Sequence, residues 1–207
     1  MKYIDFYQQF QNYPLISLVD IKNWQTDFDQ RRLYEWQKRG HIIKVSNKFY
    51  VFKDKMLSEF EMGFIANQLY QPSYLSLEYA LRFYNLIPEM VFMHNSITTK
   101  KTRFIKSTIG SFSYQAVKKD LFFGYKLVTH QGVSFKIAEP EKAILDFFYL
   151  RSDIKTAEDI YELRINQENF AEIIDCNKLE DYKQKFNSKI LDKKIKLLKK
   201  YVEFERN

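Results

Sequence analysis

At Gly40 the periodicity of the chain changes, and that change constrains what its first 55 residues can form. Upstream, Ile4, Phe6, Tyr7 and Phe10 recur at near-helical spacing and stop at Asn12-Tyr13-Pro14, because a proline disfavours helix at the residue before it. Ser17 is an N-cap candidate for a short second helix through Leu18, Val19 and Ile21, with Asp20 in the capping-box position. A third helix is predicted from Phe28 or Asp29 to Arg39, ended by Gly40, which can take the left-handed conformation of a helix stop. Beyond it the pattern becomes that of strands. His41 to Val45 and Phe49 to Phe52 are rich in β-branched and aromatic residues, and the turn Ser46-Asn47-Lys48 between them predicts a β-hairpin. Three helices followed by a hairpin is the order of a winged helix-turn-helix.

Charge gives this unit a direction. Between Arg31 and Lys53 seven cations face the single anion Glu35, whereas between Glu139 and Asp181 twelve carboxylates outnumber five cations. On the third helix Leu33 and Trp36 point to a core, and Gln30, Arg31, Arg32, Tyr34 and Lys38 are left for the solvent side. In a winged helix the third helix enters the major groove, where Arg and Gln pair with base edges. The hairpin would carry Lys44, Asn47 and Lys48 to phosphates or the minor groove. These eight residues are the candidate DNA-binding set. The alternative is a protein-interaction module with a solvated charged face, since fold does not fix function.

From about Leu57 a second region begins, predicted to be a mixed α/β domain with a helical C-terminal tail. The expected boundaries are 1–55 and 56–207, and the expected fold class is α+β. A helix carries Phe60, Phe64, Ile65, Ala66 and Leu69, and Gln71-Pro72 closes it. Ser73-Tyr74-Leu75 is a short extended stretch, and Ser76 is a candidate cap for a helix through Leu77, Ala80, Leu81 and Tyr84. Strands are expected at Met90 to Met93, Arg103 to Ile105, Ser111 to Val117 and Tyr125 to Thr129, the last joined through Gln131-Gly132 to Val133 to Ile137. Pro140 opens a helix with a buried stripe of Ala143, Ile144, Phe147, Phe148 and Leu150. Within that helix Lys142 and Asp146 stand four apart, a pair worth a few tenths of a kcal/mol if exposed, while Glu141 suits the positive helix end. In the tail, Leu191, Ile195, Leu198 and Val202, with Ile190 and Tyr201, read as a docking stripe. Lys189, Lys193, Lys196 and Lys200 read as its solvated face, or as a second set of phosphate contacts.

Two strings carry a resemblance. Ser73 to Leu81 (SYLSLEYAL) and Ile137 to Asp146 (IAEPEKAILD), behind the helices and hairpin just described, resemble the AbiEi-type antitoxins of type IV toxin-antitoxin systems over roughly residues 15 to 170. The most distinctive part is Ala138 to Asp146. The resemblance implies a transcriptional autorepressor that binds inverted repeats in its own promoter. It also implies an antitoxin that counteracts a nucleotidyltransferase-type toxin without a stable complex. Ser76, Glu141, Lys142 and Asp146 are the candidate polar cluster of that second activity.

Other classes find little in the sequence. No Walker or dinucleotide glycine fingerprint is present, and no Glu-x-Lys precedes Lys136 or Lys142 as a metal-dependent nuclease would want. Gly110-Ser111 is followed nearby only by Asp120, so this chain is not expected to be the nucleotidyltransferase itself. No catalytic residue, cofactor or metal is expected, since Cys176 is the lone cysteine and His41, His94 and His130 match no zinc spacing. The richest apolar run, Ala143 to Leu150, is broken by Asp146 and falls far short of the roughly 18 residues that span a bilayer. Met1 to Phe10 lacks a signal-peptide h-region. A soluble, cytoplasmic protein is therefore expected.

Overall fold

Local signals place the first three helices much as expected. In the computed structural model, which describes residues 2–204, they are α1 (Tyr3–Phe10), α2 (Leu18–Trp24) and α3 (Arg31–Lys38). Met1 and residues 205–207, the outer ends of the two expected domains, lie outside the described residues. Ser17 caps α2 through the box foreseen for it: its Oγ accepts the N–H of Asp20 at 3.1 Å, and Asp20 Oδ2 accepts the N–H of Ser17 at 2.8 Å. Ser17→Ala is expected to cost about 1 kcal/mol of stability, read as a lower urea midpoint with an unchanged slope.

The third helix starts later than Phe28 or Asp29. Asp29 and Gln30 instead form a tight turn, their carbonyls accepting from Arg32 and Leu33 at 3.1 Å. Gly40 stops the helix at φ +74°, and the N–H of His41 returns to the carbonyl of Trp36 at 2.9 Å.

Strands β2 (Ile42–Ser46) and β3 (Phe49–Phe52) form the hairpin, with Asn47 and Lys48 at its tip and Lys48 in the left-handed region at φ +68°. A third strand, β1 (Ile16–Ser17), pairs with β3 and makes a sheet of order β1-β3-β2. Two residues are too few to show a periodicity, so β1 was not legible beforehand. One face of this sheet closes a core of Phe6, Phe10, Ile16, Ile21, Phe28, Leu33, Trp36, Ile42, Tyr50 and Phe52.

Its other face is occupied as well. Leu15, Val45 and Val51 belong to the larger core of the rest of the chain, with Ile43 and Phe49 packed against it. Lys55 bridges the two units at a polar point: its Nζ donates to the carbonyl of Tyr13 at 3.2 Å and lies 3.2 Å from Glu61.

The larger unit is built on a six-stranded mixed sheet of order β6-β7-β5-β4-β9-β8. Its strands are β4 (Ser73–Leu75), β5 (Met93–Thr98), β6 (Arg103–Ser107), β7 (Gly110–Ala116), β8 (Tyr125–His130) and β9 (Val133–Ala138). One expectation needs correcting and another gains a place in the sheet. The strand placed at Met90 to Met93 lies at Met93–Thr98, because Met90 and Phe92 are exposed and Ser96, Ile97 and Thr98 are the buried members. Ser73-Tyr74-Leu75 is a central strand, buried along its whole length, antiparallel to β5 and parallel to β9.

Helix α4 (Glu59–Leu69), capped by Ser58 and Glu61, lies on one face of the sheet. There the hydroxyl of Tyr114 donates to the carbonyl of Ala66 at 2.7 Å. A Cβ at Gly63 would come within 3.0 Å of the Phe135 ring, so this glycine permits the close approach of helix to sheet. Helix α6 (Pro140–Leu150) packs on the opposite face under β4, beside α5 (Leu77–Phe83).

The acidic stretch and the tail supply α7 (Ala157–Glu162), α8 (Gln167–Ile173), α9 (Cys176–Phe186) and α10 (Lys189–Phe204), with α9 and α10 separated at Asn187, φ +44°. The tail docks by Leu191, Ile195, Leu198 and Val202, while Ile190 is exposed and not part of that stripe. Lys189, Lys193, Lys196 and Lys200 remain outside. Lys194 is buried, its ammonium donating to the carbonyl of Phe148 at 2.9 Å and to that of Arg151. These are C-terminal carbonyls of α6, where a cation is favoured by the helix dipole. Among the described residues the fold is α+β, and no helix is long and apolar enough to cross a membrane.

Candidate functional site

Two groups of residues are worth building up: the cationic side of the N-terminal unit, and a polar cluster buried under β4. In the first, the helical period sends Leu33 and Trp36 into the core and leaves Gln30, Arg31, Arg32, Tyr34 and Lys38 exposed. Tyr34, at 70% exposure, is far more open than a tyrosine kept for packing.

Arg31 is held in place by its neighbour. Its Nε lies 3.1 and 3.0 Å from the two carboxylate oxygens of Asp29, and this bond keeps the Asp29 carboxyl below its ordinary range. Arg32 pairs more loosely with Glu35 at 3.4 Å. No ion pair engages Lys38, Lys44 or Lys48 among the described residues.

Lys44 stands opposite Tyr50 in the hairpin register, so it shares the sheet face that packs on the helices. Asn47 and Lys48 are exposed at the tip. All eight candidate residues are therefore open to solvent on one small unit, five on α3 and the turn before it and three on the hairpin. The back of that hairpin is already spent on the second core, which leaves its tip and the helix side for a partner.

The second group differs from its sequence reading. Lys142 and Asp146 do form the i, i+4 pair, but both side chains are 0% exposed. The Lys142 ammonium donates to Asp146 Oδ1 and, at 2.9 Å, to the hydroxyl of Tyr74. Asp146 Oδ2 accepts from the hydroxyls of Tyr74 and Ser76, each at 2.9 Å. The rings of Phe123 and Phe186 lie 5.0 Å from the ammonium and close the pocket. Burial dominates the electrostatics. It holds the Lys142 ammonium below its usual range and the Asp146 carboxyl above its own, against the pull of the pair itself, and it lifts the Tyr74 phenol well up, a rise to which the Asp146 carboxylate adds.

Ser76 is thus not the cap of α5. Its backbone is extended and Leu77 follows at φ +55°, which turns the hydroxyl away from the helix N–H groups and toward Asp146. Glu141 stands in the first turn of α6, at the positive helix end expected for it. It is buried, with Oε1 accepting the N–H of Asp175 at 3.1 Å, so it ties the start of α6 to the start of α9. Its Oε2 lies 3.3 Å from Lys178 Nζ, in ion-pair contact without a hydrogen bond. Next to it, Glu139 accepts from the hydroxyl of Tyr182 at 2.7 Å and from Lys178 at 3.0 Å.

Sequence reading did not single out Tyr74, Phe123, Gly124 or Phe186 as members of this cluster. Gly124 had a signal only in retrospect: at φ +66° it passes so close that a Cβ would sit 2.9 Å from Tyr182 and 3.2 Å from Lys142. A cluster with no exposed member offers no surface to a substrate, and its chemistry is that of a lock between β4 and α6. No group of acidic, histidine or cysteine side chains suited to a metal ion occurs among the described residues. No model of a known protein family matches this chain, and no curated protein matches it.

Proposed function

We propose that this chain is a DNA-binding autorepressor whose first unit, to about residue 55, is a winged helix-turn-helix. One observation carries the reading. The helix that precedes the hairpin buries its apolar side and leaves a polar, cationic side open, beside a hairpin whose tip adds Asn47 and Lys48. This is the arrangement that lets a helix read the major groove while a wing holds the backbone. The division near residue 55 is supported by a core confined to Phe6 through Phe52.

The second unit acts, on this reading, as an antitoxin of the AbiEi type that counteracts a nucleotidyltransferase-type toxin indirectly or transiently, without a stable complex and without catalysis of its own. Its support is that the two strings carrying the resemblance meet in space. Ser76 and Asp146, seventy residues apart, share one hydrogen bond in the buried cluster.

The test is affinity for the duplex directly upstream of the gene against a scrambled duplex, over a salt series. The native promoter is expected to bind roughly 1,000-fold more tightly or better. Equal affinities with equal salt slopes would reduce the cationic side to a phosphate-binding surface and remove the repressor reading.

A further inference from the structure

We propose that the outer third of the large sheet, strands β5, β7 and β6, binds single-stranded RNA. The register fixes which side chains share its open face. Phe104 on β6 stands opposite Ser113 on β7, which stands beside Asn95 on β5, and the Asn95 amide donates to Ser113 Oγ at 3.1 Å. Lys106 and Ser111 form the next row. The alternate residues Ile105, Phe112 and Tyr114 turn the other way, into the core under α4. On the open face Phe104, the second residue of the edge strand β6, is 56% exposed, and Lys106 is exposed beside it.

Charge selects the occupant. Between Glu89 and Asp120 there is no carboxylate, and of the six cations Lys100 and Arg103 lie over the Tyr70 ring on the α4 side, which leaves Lys101, Lys106, Lys118 and Lys119 for the open face. Because β5 and β7 run parallel and in register, the β5–β6 turn with Lys101 lies at the same sheet end as Lys118 and Lys119 beyond β7. The ring thus sits between Lys106 toward one end and a lysine group at the other. A base must be unstacked and turned outward to lie on the Phe104 ring, which a paired base inside a duplex is not. A single strand meets both conditions, with its phosphates on the rim. The hydroxyl and amide side chains around the ring suit the 2′-hydroxyl, which favours RNA over DNA. None of these residues belongs to α3 or the hairpin, so the proposal stands apart from the repressor reading.

The experiment is fluorescence anisotropy of the full chain with labelled oligouridine of about a dozen nucleotides, against oligothymidine of the same length, over a salt series. Saturable binding that prefers the RNA is expected. Phe104→Ala should weaken it roughly five- to 150-fold, the loss of one base stack, while Phe104→Tyr keeps it. Lys106→Ala should lower the salt slope by about 0.7, as expected when one phosphate of a single strand is no longer neutralised. Arg31→Ala/Lys38→Ala should leave RNA affinity unchanged. Absence of saturable RNA binding overturns the proposal, as does equal affinity for oligothymidine or wild-type affinity in Phe104→Ala. Loss of RNA binding in both Phe104→Ala and Phe104→Tyr would mean a folding defect in place of a lost stack, and it also overturns it.

Discussion

Asp146→Ala is expected to lower the unfolding free energy by roughly 3 to 5 kcal/mol, the cost of leaving one member of a buried ion pair without its partner. The geometry puts this site at the severe end. Asp146 is fully enclosed and is the acceptor for three donors, the Lys142 ammonium and the hydroxyls of Tyr74 and Ser76. Truncation strands all three inside the protein. The double variant Lys142→Met/Asp146→Leu removes both charges and should recover the part of that loss that comes from the stranded ammonium, because apolar residues of similar volume can replace a buried pair at little cost. Recovery will be incomplete, since the two hydroxyls still lose their acceptor at about 1 to 3 kcal/mol each. Urea denaturation of the three proteins decides the matter. A loss under about 1 kcal/mol for Asp146→Ala would mean that Lys142 sheds its proton or reaches water, and the cluster would not be the lock described above.

Arg31→Ala/Lys38→Ala is expected to abolish the preference for the promoter over a scrambled duplex, while the variant unfolds at the wild-type denaturant midpoint. Each bidentate bond to a base edge discriminates by roughly five- to 150-fold, so removing two reaches the scale of the whole expected preference. Arg31 is well placed for such a bond, because Asp29 already holds its guanidinium and the exposed side chain loses less freedom on binding. Both positions are exposed, which is why folding should be spared. Lys44→Ala/Lys48→Ala serves as the contrast. It should weaken both duplexes alike and lower the salt slope by about 0.9 for each phosphate that the wing no longer neutralises. If instead the wing variant alone erased the preference, sequence would be read by the hairpin and the role given to α3 would be wrong.

How much of this was legible beforehand depended on whether a signal was local. The cap at Ser17, the stop at Gly40, the hairpin tip at Asn47 and Lys48, and Pro140 at the start of α6 each depend on residues within a turn of one another. So does the exposure of Arg31, Tyr34 and Lys38, which follows once Leu33 and Trp36 are assigned inward by the helical period. The strand at Met93–Thr98 was misplaced because its apolar signal is shared with the exposed Met90 and Phe92. Pairing with β4 and β7 decides which of these residues lie in the sheet.

What sequence by itself determined is the order of elements, their stops and caps, and the side of α3 that meets solvent, because these are set by backbone sterics and side-chain period over a few residues. Tertiary structure alone decided the centrality of β4, the burial of Lys142 and Asp146, and the turning of Ser76 from cap to donor. An i, i+4 Lys–Asp spacing is the same string on a wet helix face and under a sheet. Its environment is supplied by Tyr74, Phe123 and Phe186, from β4, the loop before β8 and the end of α9. Desolvation depends on everything within a few ångströms, and segments far apart in the chain come that close only when the chain is folded.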